Sequence, residues 1–173
     1  KDRVMSEKER RIVAYHEVGH AVMSILSGSE VGIITIKKFG NNGGVCRRYG
    51  YSKTYKGIKE FKNEIMILLA GKASVEIQYN EPDLGVESDM EKAKGEIRFA
   101  LENLCLFGFE YMYDIDDYSK KQSPDRLKLI IDKMTAIMTE WYEECKQILL
   151  HNKGLLDRLA SLLIEKKTLI WSD

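Results

Sequence analysis

The chain has 173 residues, no formal net charge, 44% apolar and 31% charged residues, so a packed core is expected and no basic field draws it to nucleic acid or an anionic membrane. Its three cysteines, Cys46, Cys105 and Cys145, are far apart and odd in number, which argues against a disulfide framework or a cysteine zinc site and makes a reducing compartment the default. No apolar run approaches the roughly 20 residues that span a bilayer, no signal peptide is visible, and Lys1 in place of Met leads us to expect a processed or excised chain, with any anchor on a segment outside it.

The first helix is expected from about Glu7 to Ser27. Ser6 with Glu9 three residues on is a capping-box start, and Gly28 is a stop signal. Ile12, Val13, Ala21, Val22, Ile25 and Leu26 supply its apolar surface. Within it stands His16-Glu17-Val18-Gly19-His20, an H-E-x-x-H string. At about 100° per residue, histidines four apart lie on one helix face, one turn apart, so both imidazoles can reach one zinc ion. Glu17 can point at the fourth coordination position, where water binds. Zinc lowers the pKa of that water to roughly 7, and a neighbouring carboxylate can take its proton and return it to a leaving amine. The pattern is that of metal-assisted peptide hydrolysis. The plainer alternative is a pair of hydrogen-bonded, partly buried histidines. The capped, amphipathic helix around the string favours the metal.

Val31 to Phe39 is rich in β-branched residues and reads as a strand. Gly40 to Gly44 reads as a hairpin turn and Val45 to Tyr51 as the return strand. Beside a metal helix, the Val31–Phe39 strand is either an edge that binds a substrate backbone by strand addition or a plain core hairpin. A helix is expected from Ile58 to Tyr79, with Phe61, Ile65, Leu68 and Leu69 inside, then a loop from Asn80 to Gly85. Ser88-Asp89-Met90-Glu91 is a second capping-box signal, opening a helix to about Leu106. Gly108 to Ser123 reads as irregular. Its Asp114, Asp116 and Asp117 lack the glycine and terminal glutamate of a calcium loop. Ser123-Pro124 starts a long helix, with proline at the first helical position. Leu127, Ile131, Met134, Met138, Trp141, Cys145 and Ile148 form a heptad stripe on it, read as an intradomain helix pair in preference to a subunit contact. Asn152-Lys153-Gly154 breaks that helix, and a last one carries Leu155, Leu156, Leu159, Leu162 and Leu163.

A catalytic zinc site needs a third protein ligand. Met23 and Leu26 stand where a metzincin extension would require glycine and histidine. His151, near the end of the long helix, reads as a C-terminal-turn group. Asp83 and Glu87, in a loop, and Asp89, in the first turn of a helix, are the better candidates. Asp89 has an alternative use as a complement to the helix dipole. The residues alone leave the choice open.

The run from Ser6 through Ala21 resembles the opening of the peptidase domain of FtsH-type, ATP-dependent zinc metalloproteases. Ala70-Gly71-Lys72-Ala73-Ser74-Val75-Glu76 resembles the G-G-R-A-A-E-E segment of that family. Ser88-Asp89-Met90-Glu91-Lys92-Ala93 resembles its N-D-(L/I)-x-x-A segment, and Asn152 to Leu169 its closing helix. The landmarks occur in order over nearly the whole chain. The resemblance implies one zinc per chain, held by His16, His20 and Asp89, with Glu17 as general base. It also implies unfolded polypeptide substrates, six-membered rings and an AAA ATPase module, for which this chain has no G-x-x-x-x-G-K-[ST] loop. Val75 departs from an acid, Lys94 from a threonine and Val18 from an alanine. These changes leave the implied ligands intact and bear on the groups that support them and on substrate preference.

The expectation is a mainly α (α+β) fold: one zinc metallopeptidase domain over residues 1–173, with a small β-sheet beside the H-E-x-x-H helix. Residues 1–110 form its metal-site lobe and 111–173 a C-terminal helical bundle. The expected function is zinc-dependent endopeptidase activity in the cytoplasm or another reducing compartment, with membrane association through a segment outside this chain. Two rivals are a hydrolase with Glu87 as third ligand and a non-catalytic scaffold of the same fold. The intact Glu17 argues against the scaffold, which has no use for it.

Overall fold

A computed structural model describes residues 5–37, 43–49, 57–83, 85–112 and 124–171. In chain order it comprises α1 (Glu7–Leu26), β1 (Glu30–Thr35), β2 (Val45–Tyr49), α2 (Ile58–Tyr79), α3 (Glu87–Glu102), a 3-10 turn (Phe109–Tyr111), α4 (Pro124–His151), α5 (Lys153–Lys166) and β3 (Thr168–Ile170). The fold is mainly α-helical with one small antiparallel sheet, as expected. Residues 38–39 of the expected first strand, 40–42 of the expected turn and 50–51 of the expected return strand lie outside the described residues, as do Asp114, Asp116, Asp117 and Ser123.

The helix α1 is the centre of the molecule. Its start is the capping box: the Ser6 N–H donates to Glu9 Oε2 at 2.7 Å and the Glu9 N–H to Ser6 Oγ at 3.2 Å. Two of the N–H groups that a helix start leaves open are thereby satisfied. Past Ala14 almost every residue to Ser24 is buried, which is the pattern of a helix covered on all sides. The helix α2 packs along it, α5 packs on another face, and the sheet covers a third, while α4 packs on α2. One cluster of buried residues draws on all five helices, from Ala14 to Leu163.

One alternative is decided and two expectations are corrected. Of the two readings left open for the first strand, the edge is ruled out: β1 is central, the sheet order being β2-β1-β3 with both pairs antiparallel. Lys167, at φ 63°, turns the chain out of α5 so that Thr168–Ile170 lies along Thr35–Ile33. The Thr35 and Thr168 hydroxyls meet at 2.9 Å, and the Trp171 N–H donates to Gly32 O at 3.0 Å. Among the described residues, strand β2 is therefore the edge on the side away from β3.

Next, Ser88 caps nothing. The residue before α3 is Val86, and no side chain caps it. Asp83 Oδ1 accepts the Gly85 N–H at 2.8 Å, and this Asx-type turn brings the chain into the helix at Glu87, with Ser88 inside the first turn. The helix also stops at Glu102, because Cys105 takes φ 48° and the Leu106 N–H folds back to Ala100 O.

Finally, the buried stripe of α4 is Ile130, Ile137, Trp141, Cys145 and Leu149, while Leu127 and Ile131 are exposed. Trp141 stacks edge-on to Phe61 at 5.9 Å, and Cys145 Sγ donates to Met66 O at 3.4 Å. Both contacts are with α2, so the preferred reading of an intradomain pair stands, with the stripe differently phased.

Candidate metal centre

Two histidines one helical turn apart form the site. The His16 and His20 rings stand edge to face with centroids 4.7 Å apart, and their Nε2 atoms are 3.0 Å from each other. Asp89, in the first turn of α3, brings Oδ2 to 3.3 Å from His16 Nε2 and 3.1 Å from His20 Nε2. Of the other candidates, Asp83 lies on the opposite edge of the His16 ring, bonded to Nδ1 at 2.7 Å. Glu87 and His151 are exposed, and among the described residues the group that could hold a metal ion is His16, His20 and Asp89.

The hydrogen bonds fix which ring nitrogens face inward. His20 Nδ1 lies 2.7 Å from Ile67 O, a backbone acceptor, so Nδ1 carries the hydrogen and Nε2 presents its lone pair. Asp83 does the same for His16. With both imidazoles neutral, two lone pairs and a carboxylate oxygen then converge at 3.0–3.3 Å with no donor among them. Such a set repels unless a cation sits at its centre. Bonds of about 2.0–2.1 Å in a tetrahedron set neighbouring ligand atoms about 3.3 Å apart, and two His nitrogens with one carboxylate are a catalytic zinc donor set. The residues fit the metal.

The electrostatics agree. Burial disfavours a charged His16, but hydrogen bonds to Asp83 and Asp89 and the nearby Glu17 charge outweigh it and push its pKa up to about 10. Burial likewise works against an ionised Asp89, yet the His16 and His20 hydrogen bonds hold its carboxyl well below the usual range.

Glu17 is buried at 8% exposure, and burial holds its carboxyl above the usual value, with His16 and His20 pulling the other way. The Cys46 backbone of β2 hydrogen-bonds it. A Cβ on Gly44 would lie 2.8 Å from Glu17 Oε1, so the glycine leaves the carboxylate its room. His16, Glu17, His20 and Asp89 all line one cavity of about 860 Å³, whose wall includes Val45, Cys46 and Arg48 of β2.

Sequence reasoning passed over Gly71, in the middle of α2. A Cβ there would lie 2.6 Å from His16 Cε1 and 2.7 Å from His20 Nε2. Gly19, inside the H-E-x-x-H string, sits as tightly on α2: its Cβ would be 2.4 Å from Ala70 O. The Ser74 hydroxyl, donating to Tyr15 O at 2.6 Å, bonds the same two helices together. Glycine inside a long helix is unfavourable by roughly 1 kcal/mol, and that was the available signal of a close approach.

Comparison with known proteins completes the picture. The model of peptidase family M41 matches residues 3–173. The ATP-dependent zinc metalloprotease FtsH 2 of Thermoanaerobacter sp. is 34% identical over 166 residues, 94% of this chain and 31% of the relative. The ATP-dependent zinc metalloprotease FtsH of Acholeplasma laidlawii is 31% identical over 195 residues, covering 100% of this chain and 29% of the relative. That of Clostridium perfringens is 27% identical over 186 residues, 98% of this chain and 26% of the relative. The chain thus spans under a third of the length of each of these three relatives. With a family model reaching almost from end to end and relatives more than 30% identical over nearly the whole chain, the chain belongs to peptidase family M41, as a peptidase domain of FtsH type.

Proposed function

We propose that the chain is a zinc-dependent endopeptidase acting on unfolded polypeptides, with His16, His20 and Asp89 as zinc ligands and Glu17 as general base. The observation that carries it is the convergence of two Nε2 atoms and Asp89 Oδ2 within 3.3 Å, beside a buried glutamate in the same cavity. Zinc in such a site polarises a carbonyl and lowers the pKa of a water to about 7. Glu17 takes the proton from the attacking water at a carboxylate oxygen and gives it to the departing amine. Its raised pKa suits that shuttle, because a base works best when its pKa approaches the working pH. The Cys46 backbone and the Gly44 gap orient the carboxylate. Edge strand β2, on the cavity wall, is the element to which a substrate backbone adds, since β1 is paired on both sides.

Residues 1–173 act as one unit, which the shared core from Ala14 to Leu163 supports. Among the described residues no helix is long and apolar enough to cross a membrane. Coupling to an ATPase belongs to the same proposal, by analogy with relatives named as ATP-dependent proteases, and assembly into rings is what the family resemblance implies. Unfolded casein is the test substrate. Glu17→Gln is expected to keep about one zinc per chain and to lower the hydrolysis rate by at least about 10²-fold. Equal rates for wild type and Glu17→Gln, or no hydrolysis by zinc-loaded wild type, would sink the reading.

A further inference from the structure

The two histidines of the cluster are backed by different groups. His20 Nδ1 meets a neutral backbone oxygen, whereas His16 Nδ1 meets a carboxylate oxygen, Asp83 Oδ2, at 2.7 Å. The Asp83 side chain is only 5% exposed. Its other oxygen, Oδ1, accepts the Gly85 N–H at 2.8 Å. Gly85 lies two residues before α3 begins, and Asp89 stands in the first turn of that helix. One carboxylate therefore touches the first histidine on α1 and the turn that delivers the aspartate on α3. Helix α2 supplies no acid here. Val75, where the family segment carries an acid, is 2% exposed and lines the same cavity.

Resting on the ligand set proposed above, we propose that Asp83 is a positioning residue of the metal centre: it holds His16 with Nε2 turned inward and ties that ring to the turn carrying Asp89. A neutral imidazole released from Asp83 is free to move its hydrogen to Nε2, where it blocks ligation, or to rotate the ring. A carboxylate on Nδ1 prevents both and makes Nε2 a stronger donor. Partners of this kind are worth about 10–100-fold in metal affinity.

The test measures zinc dissociation constants by competition with a chromogenic chelator, for wild type, Asp83→Asn, Asp83→Ser and Asp89→Ala. Asparagine offers one oxygen to two N–H donors. Serine can still cap the Gly85 N–H in a local turn but leaves His16 Nδ1 unheld. Both Asp83 variants are expected to bind zinc about 10–100-fold more weakly than wild type and to show altered visible bands when cobalt(II) replaces zinc. Wild-type affinity in either folded variant, with binding lost in Asp89→Ala, overturns the role of Asp83 and leaves the ligand set standing. Wild-type affinity in Asp89→Ala overturns the ligand set and the Asp83 role with it. The zinc-loaded wild type gives an independent check by nitrogen-15 NMR, which needs no variant to fold. His16 is expected to show a low-field Nδ1–H proton and a metal-bound Nε2, and the reverse assignment overturns the proposal.

Discussion

The α1–α2 contact and the outer helices use glycine in opposite ways. At Gly19 and Gly71 the missing side chain is where another group already sits: a backbone oxygen in one case, the two imidazoles in the other. At Gly95 on α3 and Gly154 on α5 a Cβ would meet nothing within 4 Å. The same residue type in the same secondary structure is a packing requirement inside and a plain loss of helix stability outside. The difference teaches that the metal helix is positioned by close backbone approach, and that the outer helices have room to vary.

That contrast can be broken most forcefully by deleting volume. Leu149, fully buried on α4, should lose about 2–5 kcal/mol on replacement by alanine, whereas Ile131→Ala, at an exposed position of the same helix, should move stability by less than about 0.5 kcal/mol. Urea unfolding of the two variants checks both, and equal losses would erase the distinction between the faces. Adding volume comes next. Gly19→Ala should destabilise by about 1–3 kcal/mol through overpacking. Gly71→Ala should also lower zinc stoichiometry in elemental analysis, because the new methyl displaces the histidines.

A third experiment acts on the inner region through its charge. His16 has a folded pKa above its unfolded value of 6.5. The stability of the metal-free protein that this charge supplies is fully present below about pH 6.5 and is lost as pH rises to about 10. Zinc must displace the same proton, so its affinity should climb about tenfold per pH unit within that window. Thermal melts of chelator-treated protein and zinc titrations across the window read the two trends, which must run in opposite directions. The smallest effect belongs outside: Gly95→Ala should raise stability by roughly 0.5–1 kcal/mol, seen as a later urea midpoint.

Much of the inner region was legible in the sequence, because its signals are local. The Ser6–Glu9 box and the H-E-x-x-H spacing depend on residues three and four apart, and the limits of α2 match the apolar pattern to the residue. The choice of Asp89 over Asp83 and Glu87 came from family resemblance, since neighbouring carboxylates look alike until the chain is folded. The rest failed where distant parts decide. β3 is three residues long, and its partner in β1 lies more than 130 residues earlier. The stripe of α4 follows steps of seven, four, four and four from Ile130, and it meets the expected heptad only at Trp141 and Cys145. A helix lying on a curved core buries a broad face, not a 3.5-residue seam. Ser88 matched a cap pattern, but the Asp83 turn starts α3 two residues too early for it.

The pairing of β3 with β1 has a consequence in time. Thr35 and Thr168 are 133 residues apart. At synthesis rates of about 5–20 residues per second, β1 waits about 7–27 s for its second neighbour to emerge from the ribosome. Throughout that interval the strand that follows the metal helix presents open hydrogen-bonding groups on one side. The nascent chain is then most exposed to mispairing, so a folding helper would act on it in that interval.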